Sequence, residues 1–281
     1  MATLVHSSCV ESLVRDCRRR LLTGLGAAPH GDRLVPYFTR GKMLRAELAF
    51  LAAGAVAGTP SHGMGGAIAI ELLHGASLIH DDIIDEASER RGLPAFQCQV
   101  GRNVAIAVGD YLVLHAFAAL GDACRDQPSD RVARALAALA HWGRECCRGE
   151  VQELRAGRVA APWESYDALA RRKTGSLFAA AATLGALLAG GTQADVDALA
   201  TLGLSVGAAY QIEDDLADVP DLASVFEPAT LSDGDVRTVL RTMQQSHVDA
   251  ARNAAATLPP STYADALMEF IVRHDGRALV P

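Results

Sequence analysis

The sequence has few aromatic residues, few lysines and no cysteine motif. Only 5% of its 281 residues are aromatic, and only two of its 26 basic residues are lysines. The six cysteines are scattered without a CxxC pair, so we expect neither disulfides nor zinc, and a reducing cytoplasm is the predicted setting. The longest apolar runs are shorter than the about 18 residues of a membrane span. The first residues also lack the pattern of a signal peptide.

The charge balance excludes a second group of functions. The formal net charge is −7. Proteins that bind nucleic acids or anionic membranes usually present a basic face to the phosphates. We therefore expect no nucleic acid and no membrane surface among the partners. Half of the residues are hydrophobic, which allows a chain of this length to bury one sizeable core.

The hydrophobic pattern predicts an all-α protein. Alanine and leucine dominate, and apolar residues recur with helical spacing between short breaks rich in Gly, Pro, Asp and Ser. No break is long enough for a domain linker, so a single domain over residues 1–281 is predicted. The predicted helices lie near 4–23, 38–57, 64–88, 101–121, 129–156, 163–190, 194–219, 234–257 and 262–275.

An acidic cluster, DDIID, ends the helix that is predicted over residues 64–88. At 3.6 residues per turn, one face of this helix carries Glu71, His74, Leu78, Asp81 and Asp85. Like charges four residues apart destabilise an isolated helix, and buried charges without a partner are costly. The cluster therefore predicts a bound counter-charge.

A second cluster, DDLAD, begins at Asp214 and ends another apolar helix. Gly207, Gln211, Asp214 and Asp218 share one face of that helix. One such cluster often only caps a helix or pairs with arginines, but two of them facing each other would repel unless cations lay between them. Magnesium prefers oxygen ligands and completes its shell with substrate phosphates. The pair of clusters thus predicts a site where metals assist the departure of a diphosphate.

The two lysines lie in basic segments suited to phosphate binding. Lys42 and Arg45 are three residues apart and are predicted to share a helical face, and Lys173 follows two arginines. Lysine is a compact point charge that phosphate sites often use. The pair Arg90-Arg91 follows the first cluster and is predicted at the end of its helix, where it would commonly be solvated.

With these segments in order, the chain resembles the trans-prenyl diphosphate synthase family (polyprenyl synthetases), of the short-chain type that makes farnesyl or geranylgeranyl diphosphate. The resemblance extends from about Arg40 to Val219. It implies an isoprenoid synthase bundle with a central apolar cavity, and a homodimer. The matching blocks are residues 41–45, 71–85 with 90–92, 109–112, 173–175 and 210–218.

The resemblance also implies roles for individual residues. Magnesium, about three ions with manganese as a substitute, would be held by Asp81, Asp82, Asp85, Asp214, Asp215 and Asp218. The allylic diphosphate would be contacted by Arg90, Lys173, Thr174 and Gln211. The isopentenyl diphosphate would be contacted by Lys42, Arg45, His74 and Arg91.

The implied reaction is ionisation, condensation and elimination. An allylic diphosphate (dimethylallyl, geranyl or farnesyl) would lose its diphosphate, the isopentenyl double bond would attack the cation, and the departing diphosphate would take the proton. Product length in the family depends on residues four and five positions before the first aspartate. Here these are the small residues Ser77 and Ala76, which imply a deep pocket and geranylgeranyl diphosphate or a longer product.

One part of the sequence departs from the family. After Asp218 the family has a glycine-rich basic loop, whereas residues 219–235 contain no basic residue, and the part after residue 219 is shorter than usual. Two alternatives follow: a class I terpene cyclase, and a weakly active or regulatory subunit of a heteromeric synthase. The isopentenyl-site residues argue against the cyclase, and the two intact aspartate clusters argue against the subunit.

Overall fold

The computed structural model describes residues 2–156, 163–217 and 233–273. Within these ranges the chain is helical apart from its connections and one short hairpin. The hairpin pairs β1 (Glu89–Arg90) with β2 (Leu93–Pro94) in antiparallel register. The helices are α1 Ala2–Gly26, α2 Gly31–Thr39, α3 Leu44–Ala57, α4 Met64–Ile84, α5 Phe96–Val100, α6 Arg102–Ala123, α7 Ser129–Ala156, α8 Trp163–Ala170, α9 Ser176–Leu188, α10 Gln193–Ala217, α11 Asp233–Ala256 and α12 Thr262–Arg273.

Helix α9 lies at the centre of the fold. Every residue from Ser176 to Leu188 is buried, and the helix packs against α3, α4, α7 and α10. Its sequence is rich in alanine, so neighbouring helices approach its backbone closely. A π-helical turn, Arg171–Gly175, joins α9 to α8. The centre of the bundle therefore fixes the position of the turn that carries Lys173.

The predicted helix 38–57 is wrong in its first part. Helix α2 ends at Thr39 and α3 begins only at Leu44. Met43, between them, has a left-handed backbone with φ of 60°, which cannot continue a right-handed helix. Lys42 consequently lies in a loop, and it does not share a helical face with Arg45.

The predicted helix 64–88 also ends early, and the pair of arginines is not at a helix end. Helix α4 stops at Ile84, and the chain then forms the β1–β2 hairpin. Arg91 and Gly92, at its turn, have φ of 54° and 73°. Two successive positive φ angles are what a tight two-residue hairpin turn requires, and they place Arg90 and Arg91 side by side on this hairpin.

Helix α6 does not fit the expectation that every apolar run is too short to cross a membrane. By length and composition alone, Arg102–Ala123 could cross one, and 33% of its most apolar window is buried. The helix packs along α4 and contacts α5 and α7. Its outer face leaves large apolar side chains exposed, among them Leu114 at 71% and Ile106 at 41%.

Contact between the backbones of α9 and α10 predicts a sharp difference between two glycines. A Cβ on Gly203 would lie 2.5 Å from the carbonyl oxygen of Phe178, whereas a Cβ on Gly121 would meet nothing within 4 Å. We expect Gly203→Ala to lower the free energy of unfolding by about 1–3 kcal/mol. Gly121→Ala, in the last turn of α6, should leave it unchanged or raise it by up to about 1 kcal/mol. Urea denaturation of both variants measures this, and equal effects would contradict the packing.

Candidate active site

A cavity of about 680 Å³ opens between α2, α4, α7, α9 and α10. It brings together residues that the sequence predicted from five separate segments. Ala76, Asp82, Asp85 and Asp215 do not line it, and Asp218 lies outside the described residues. The predicted residues that do line the cavity are Lys42, Arg45, His74, Ser77, Asp81, Arg90, Arg91, Lys173, Thr174, Gln211 and Asp214.

Asp81 is the acidic residue of α4 that faces the cavity. The pKa of Asp81 is raised to about 6, chiefly by burial; Lys173 opposes this shift, and the carboxylates of Glu150 and Asp85 add to it. Asp85 lies one turn on, at the exposed end of α4. Asp214, from α10, lines the same cavity. One aspartate of each acidic cluster therefore faces the same cavity.

Asp82 has different surroundings from its neighbour. It is fully buried, with Nε of Arg90 2.5 Å from its Oδ1. The hydroxyl of Tyr37 donates to its Oδ2. Burial, and then this hydrogen bond, raise the pKa of Tyr37 above its ordinary value. Asp82 thus ties α2 and the hairpin to α4 and fixes Arg90 at the cavity wall.

The second cluster repeats this arrangement on α10. The hydroxyl of Tyr166 donates to Asp215 over 2.5 Å, and Nε2 of Gln211 donates to the same carboxylate over 2.9 Å. Gln211 in turn accepts a hydrogen bond from Oγ1 of Thr174 on the π turn. In each cluster, the second aspartate therefore holds neighbouring elements in place.

Two buried nitrogens in the cavity wall lack a hydrogen-bond partner among the described residues. They are Nε of Arg45 and Nδ1 of His74. Burial lowers the pKa of His74 well below its ordinary value, and Arg45 lowers it further, so the imidazole is neutral. Leaving a buried polar atom unsatisfied costs about 1–3 kcal/mol. Arg45, and His74 in its Nδ1–H tautomer, therefore offer donors at the cavity wall without a partner among the described residues, and such donors fit a diphosphate.

Aromatic rings lie beneath the cations on this side of the cavity. The guanidinium of Arg45 lies 4.6 Å from the ring centre of Phe178. Nζ of Lys42 is 3.4 Å from the hydroxyl of Tyr210 and 5.8 Å from its ring centre. Both rings stabilise a cation at their faces, so they help to hold Lys42 and Arg45 over the cavity.

The π turn places Lys173 and Thr174 on the opposite wall. Nζ of Lys173 lies 3.0 Å from a carboxylate oxygen of Glu150 and also contacts Glu153. Single π turns within helices are rare and occur often at functional sites. The turn is held between α7 and α10, because Thr174 bonds to Gln211 on the other side.

The two residues predicted to set product length lie differently. Ser77 lines the cavity, and its hydroxyl donates to the carbonyl oxygen of His74 over 2.8 Å. Ala76 is only 1% exposed and packs in the core. Of the two, only Ser77 borders the space that a substrate could occupy.

Sequence reasoning missed several residues of the site. Tyr37 and Tyr166 gave no local signal, because each acts through a contact with a distant aspartate. Glu150 and Glu153 are three residues apart on α7, a spacing that is common on solvated helix faces. Only the packing of α7 against the π turn brings these two carboxylates to Lys173.

The chain matches a family model and is similar in sequence to curated proteins. The family model described as polyprenyl synthetase matches residues 32–237. The short chain isoprenyl diphosphate synthase of Methanothermobacter thermautotrophicus is 39% identical over 180 residues, which make up 64% of this chain and 54% of that relative. The chain thus spans about half the length of the curated relatives it matches.

Solved structures with the same fold cover nearly the whole chain. The geranylgeranyl pyrophosphate synthetase of the archaeon Geoglobus acetivorans has a TM-score of 0.83 at 24% identity, over 95% of this chain and 99% of that one. The polyprenyl synthase of Caulobacter crescentus CB15, complexed with calcium and isoprenyl diphosphate, has a TM-score of 0.75 at 26% identity, over 95% and 98%. These likenesses confirm the predicted all-α fold. Since the family model covers more than half of its residues, the chain belongs to the polyprenyl synthetase family.

Proposed function

We propose that the protein is a prenyltransferase that condenses isopentenyl diphosphate with an allylic diphosphate to give a longer trans-prenyl diphosphate. One observation carries the proposal: acidic side chains from two helices and cations from three separate segments of the chain line the same cavity. Asp81 and Asp214 represent the two helices. We assign these cations to two groups as the resemblance implies, Lys173 with Arg90 and Lys42 with Arg45 and Arg91, all of which line the cavity. Two groups of cations are what two diphosphates require.

We assign the divalent metal, magnesium, to Asp81, Asp85 and Asp214, with Asp218 outside the described residues. Carboxylate oxygens suit this ion, and the raised pKa of Asp81 reflects a charge that a cation would stabilise. The Caulobacter relative was solved with calcium, which supports a divalent cation here. When bound, the metal would draw negative charge from the leaving diphosphate. Asp82 and Asp215 would position the site instead, since hydrogen bonds from neighbouring side chains hold their carboxylates.

The other residues divide between the two substrates. Arg90, Lys173, Thr174 and Gln211 would bind the allylic diphosphate, which leaves and then accepts the proton. Lys42, Arg45, His74 and Arg91 would bind the isopentenyl diphosphate, and neutral His74 would donate a hydrogen bond to it. Apolar side chains of the wall, such as Leu78, Leu177 and Phe178, would keep water from the allylic cation.

We further propose geranylgeranyl diphosphate or a longer chain as the product. Ser77 borders the cavity one helical turn before Asp81, and its small side chain leaves room for a growing prenyl chain. A bulky residue at this position would close that space. Ala76, buried in the core, contributes less to this choice.

The proposal predicts that turnover needs both substrates. Purified protein with magnesium is given dimethylallyl, geranyl or farnesyl diphosphate, each with and without isopentenyl diphosphate, and the products are separated by chromatography. We expect longer diphosphates only when both are present. Hydrocarbons or alcohols from the allylic substrate alone would indicate a terpene cyclase. The absence of any product would favour a regulatory subunit that requires a second chain.

Removal of the charge of Asp81 is predicted to have opposite effects on stability and on activity. Its pKa in the folded protein, about 6, is raised above the ordinary 3.8. The ionised carboxyl therefore destabilises the metal-free fold above pH 6, and this penalty disappears as the pH falls toward 3.8. We expect Asp81→Asn to abolish turnover yet raise the Tm of the metal-free protein by about 2–4 °C at neutral pH.

Calorimetry in a chelating buffer checks this prediction across pH. Asp122→Asn is a suitable control, because the Asp122 side chain is 71% exposed on α6, and it should change neither Tm nor turnover. A Tm gain for Asp81→Asn that persists at acidic pH would contradict the assignment, as would normal turnover of that variant.

We also propose a homodimer that covers the outer face of α6. Val104, Ile106 and Leu114 are exposed along this helix, and such apolar patches commonly mark contacts between copies of a chain. We expect the wild-type protein to be dimeric by light scattering and Leu114→Asp to be monomeric. Val272→Asp is the control, because Val272 is 47% exposed on α12, away from α6. A monomeric wild type, or a dimeric Leu114→Asp, would contradict the proposal.

A further inference from the structure

Two carboxylates of α7 surround the ammonium group of Lys173. Glu150 lies 3.0 Å from Nζ, and Glu153 contacts it more closely. The side chains of Glu150 and Lys173 are only 16% and 26% exposed. Both glutamates are far in sequence from the lysine, and neither has a role in the substrate assignments above. The role of these two glutamates therefore lies in their contact with Lys173.

The backbones of α7 and the π turn are in close contact beside Lys173. A Cβ on Gly149 would lie 2.6 Å from the backbone nitrogen of Lys173, so only glycine allows this approach. The thiol of Cys146 also donates to the carbonyl oxygen of Lys173, with the sulfur 3.3 Å away. The two glutamates are thus held at a fixed distance from the start of the lysine side chain.

Because the Lys173 ammonium has a limited number of N–H donors, Glu150 and Glu153 can determine the direction in which it points. An ammonium group carries three N–H donors. Within the described part of the chain, Glu150 and Glu153 are the carboxylates that accept from it. Lys173 also lines the cavity, so an N–H that neither glutamate accepts can bind a ligand there. A lysine side chain has a flexible stem of four carbons, and two carboxylates restrict it to one orientation before any substrate arrives.

The two glutamates also keep the Lys173 ammonium protonated. Burial alone would lower the pKa of Lys173, but the hydrogen bonds and charges of Glu153 and Glu150 outweigh it and raise the pKa above its ordinary value. The ammonium therefore stays protonated although it is largely removed from water. Surface ion pairs contribute little, and the Glu153 side chain is 45% exposed. Glu150 and Lys173, however, both line the cavity, where their ion pair can orient the ammonium.

We propose that Glu150 and Glu153 are positioning residues that direct the Lys173 ammonium into the cavity, toward the diphosphate group that leaves in the reaction. The inference rests on the proposed function, because that function assigns Lys173 to the allylic diphosphate. It differs from a purely structural role in one respect: the effect of the two glutamates passes through Lys173.

A double-mutant cycle tests this dependence. Glu153→Gln keeps the size of the side chain and removes its charge. We expect it to raise KM for the allylic diphosphate about tenfold, with KM for isopentenyl diphosphate unchanged because Lys42 and Arg45 form a different group. Lys173→Gln should raise the same KM. In the Lys173→Gln background, Glu153→Gln should have no further effect, since interacting residues are not additive. Glu150→Gln is expected to behave in the same way.

Glu145→Gln is the matched control. Glu145 lies on the same helix and pairs with Arg148 and Arg172 rather than with the lysine. We expect it to leave both KM values unchanged while its effect on Tm resembles that of Glu153→Gln. If Glu153→Gln and Glu145→Gln change KM equally, or if the effects of Glu153→Gln and Lys173→Gln add, the positioning role is wrong.

A binding measurement separates this inference from the proposed reaction. Calorimetric titration with magnesium and inorganic pyrophosphate gives Kd for wild type, Glu153→Gln, Lys173→Gln and the double variant without any turnover. Weaker binding in the first variant that disappears in the Lys173→Gln background supports positioning, even if the wild type elongates no substrate. Unchanged binding in Glu153→Gln overturns the inference, even if the synthase activity is confirmed.

Discussion

The structure depends on keeping charged side chains at the ends of apolar helices and around a single cavity. A buried charge is costly unless it has a partner, and several of these charges have one. Asp82 is held by Arg90 and Tyr37. Lys173 is held by two glutamates. These partners come from distant elements, so the same contacts that compensate the charges also join the bundle around the cavity.

Close packing of small residues makes this arrangement possible. Helix α9 is buried along its whole length, and glycines of α10 and α7 let backbones meet where a methyl group would collide. Closely packed interiors are hard to compress, so the position of one helix restricts the positions of its neighbours. The π turn at the start of α9 therefore has little freedom, and it holds Lys173 and Thr174 in the wall of the cavity. The geometry of the cavity is set by alanine and glycine as much as by charged residues.

In both aspartate clusters, the first and the second aspartate have different surroundings, and this difference suits the proposed site. The second aspartate of each accepts hydrogen bonds from a tyrosine and another side chain, and it fixes neighbouring elements. The first aspartate of each lines the cavity. Rigid support behind an acidic group that faces the cavity suits a metal and a diphosphate, since preorganised charge needs little rearrangement when the substrate's charge develops.

The sequence by itself determined the helical class, the family and most of the charged residues of the cavity wall, because helical periodicity and short acidic or basic segments are local features. Tertiary structure decided the rest. Met43 and Arg91 adopt positive φ without being glycine, so the residue type at these positions predicted neither the loop at Lys42 nor the hairpin that fills the break at residues 91–94. The contacts of Tyr37 with Asp82 and of Glu150 with Lys173 join residues far apart in sequence. Such pairs depend on how helices pack, and spacing along one chain does not encode them.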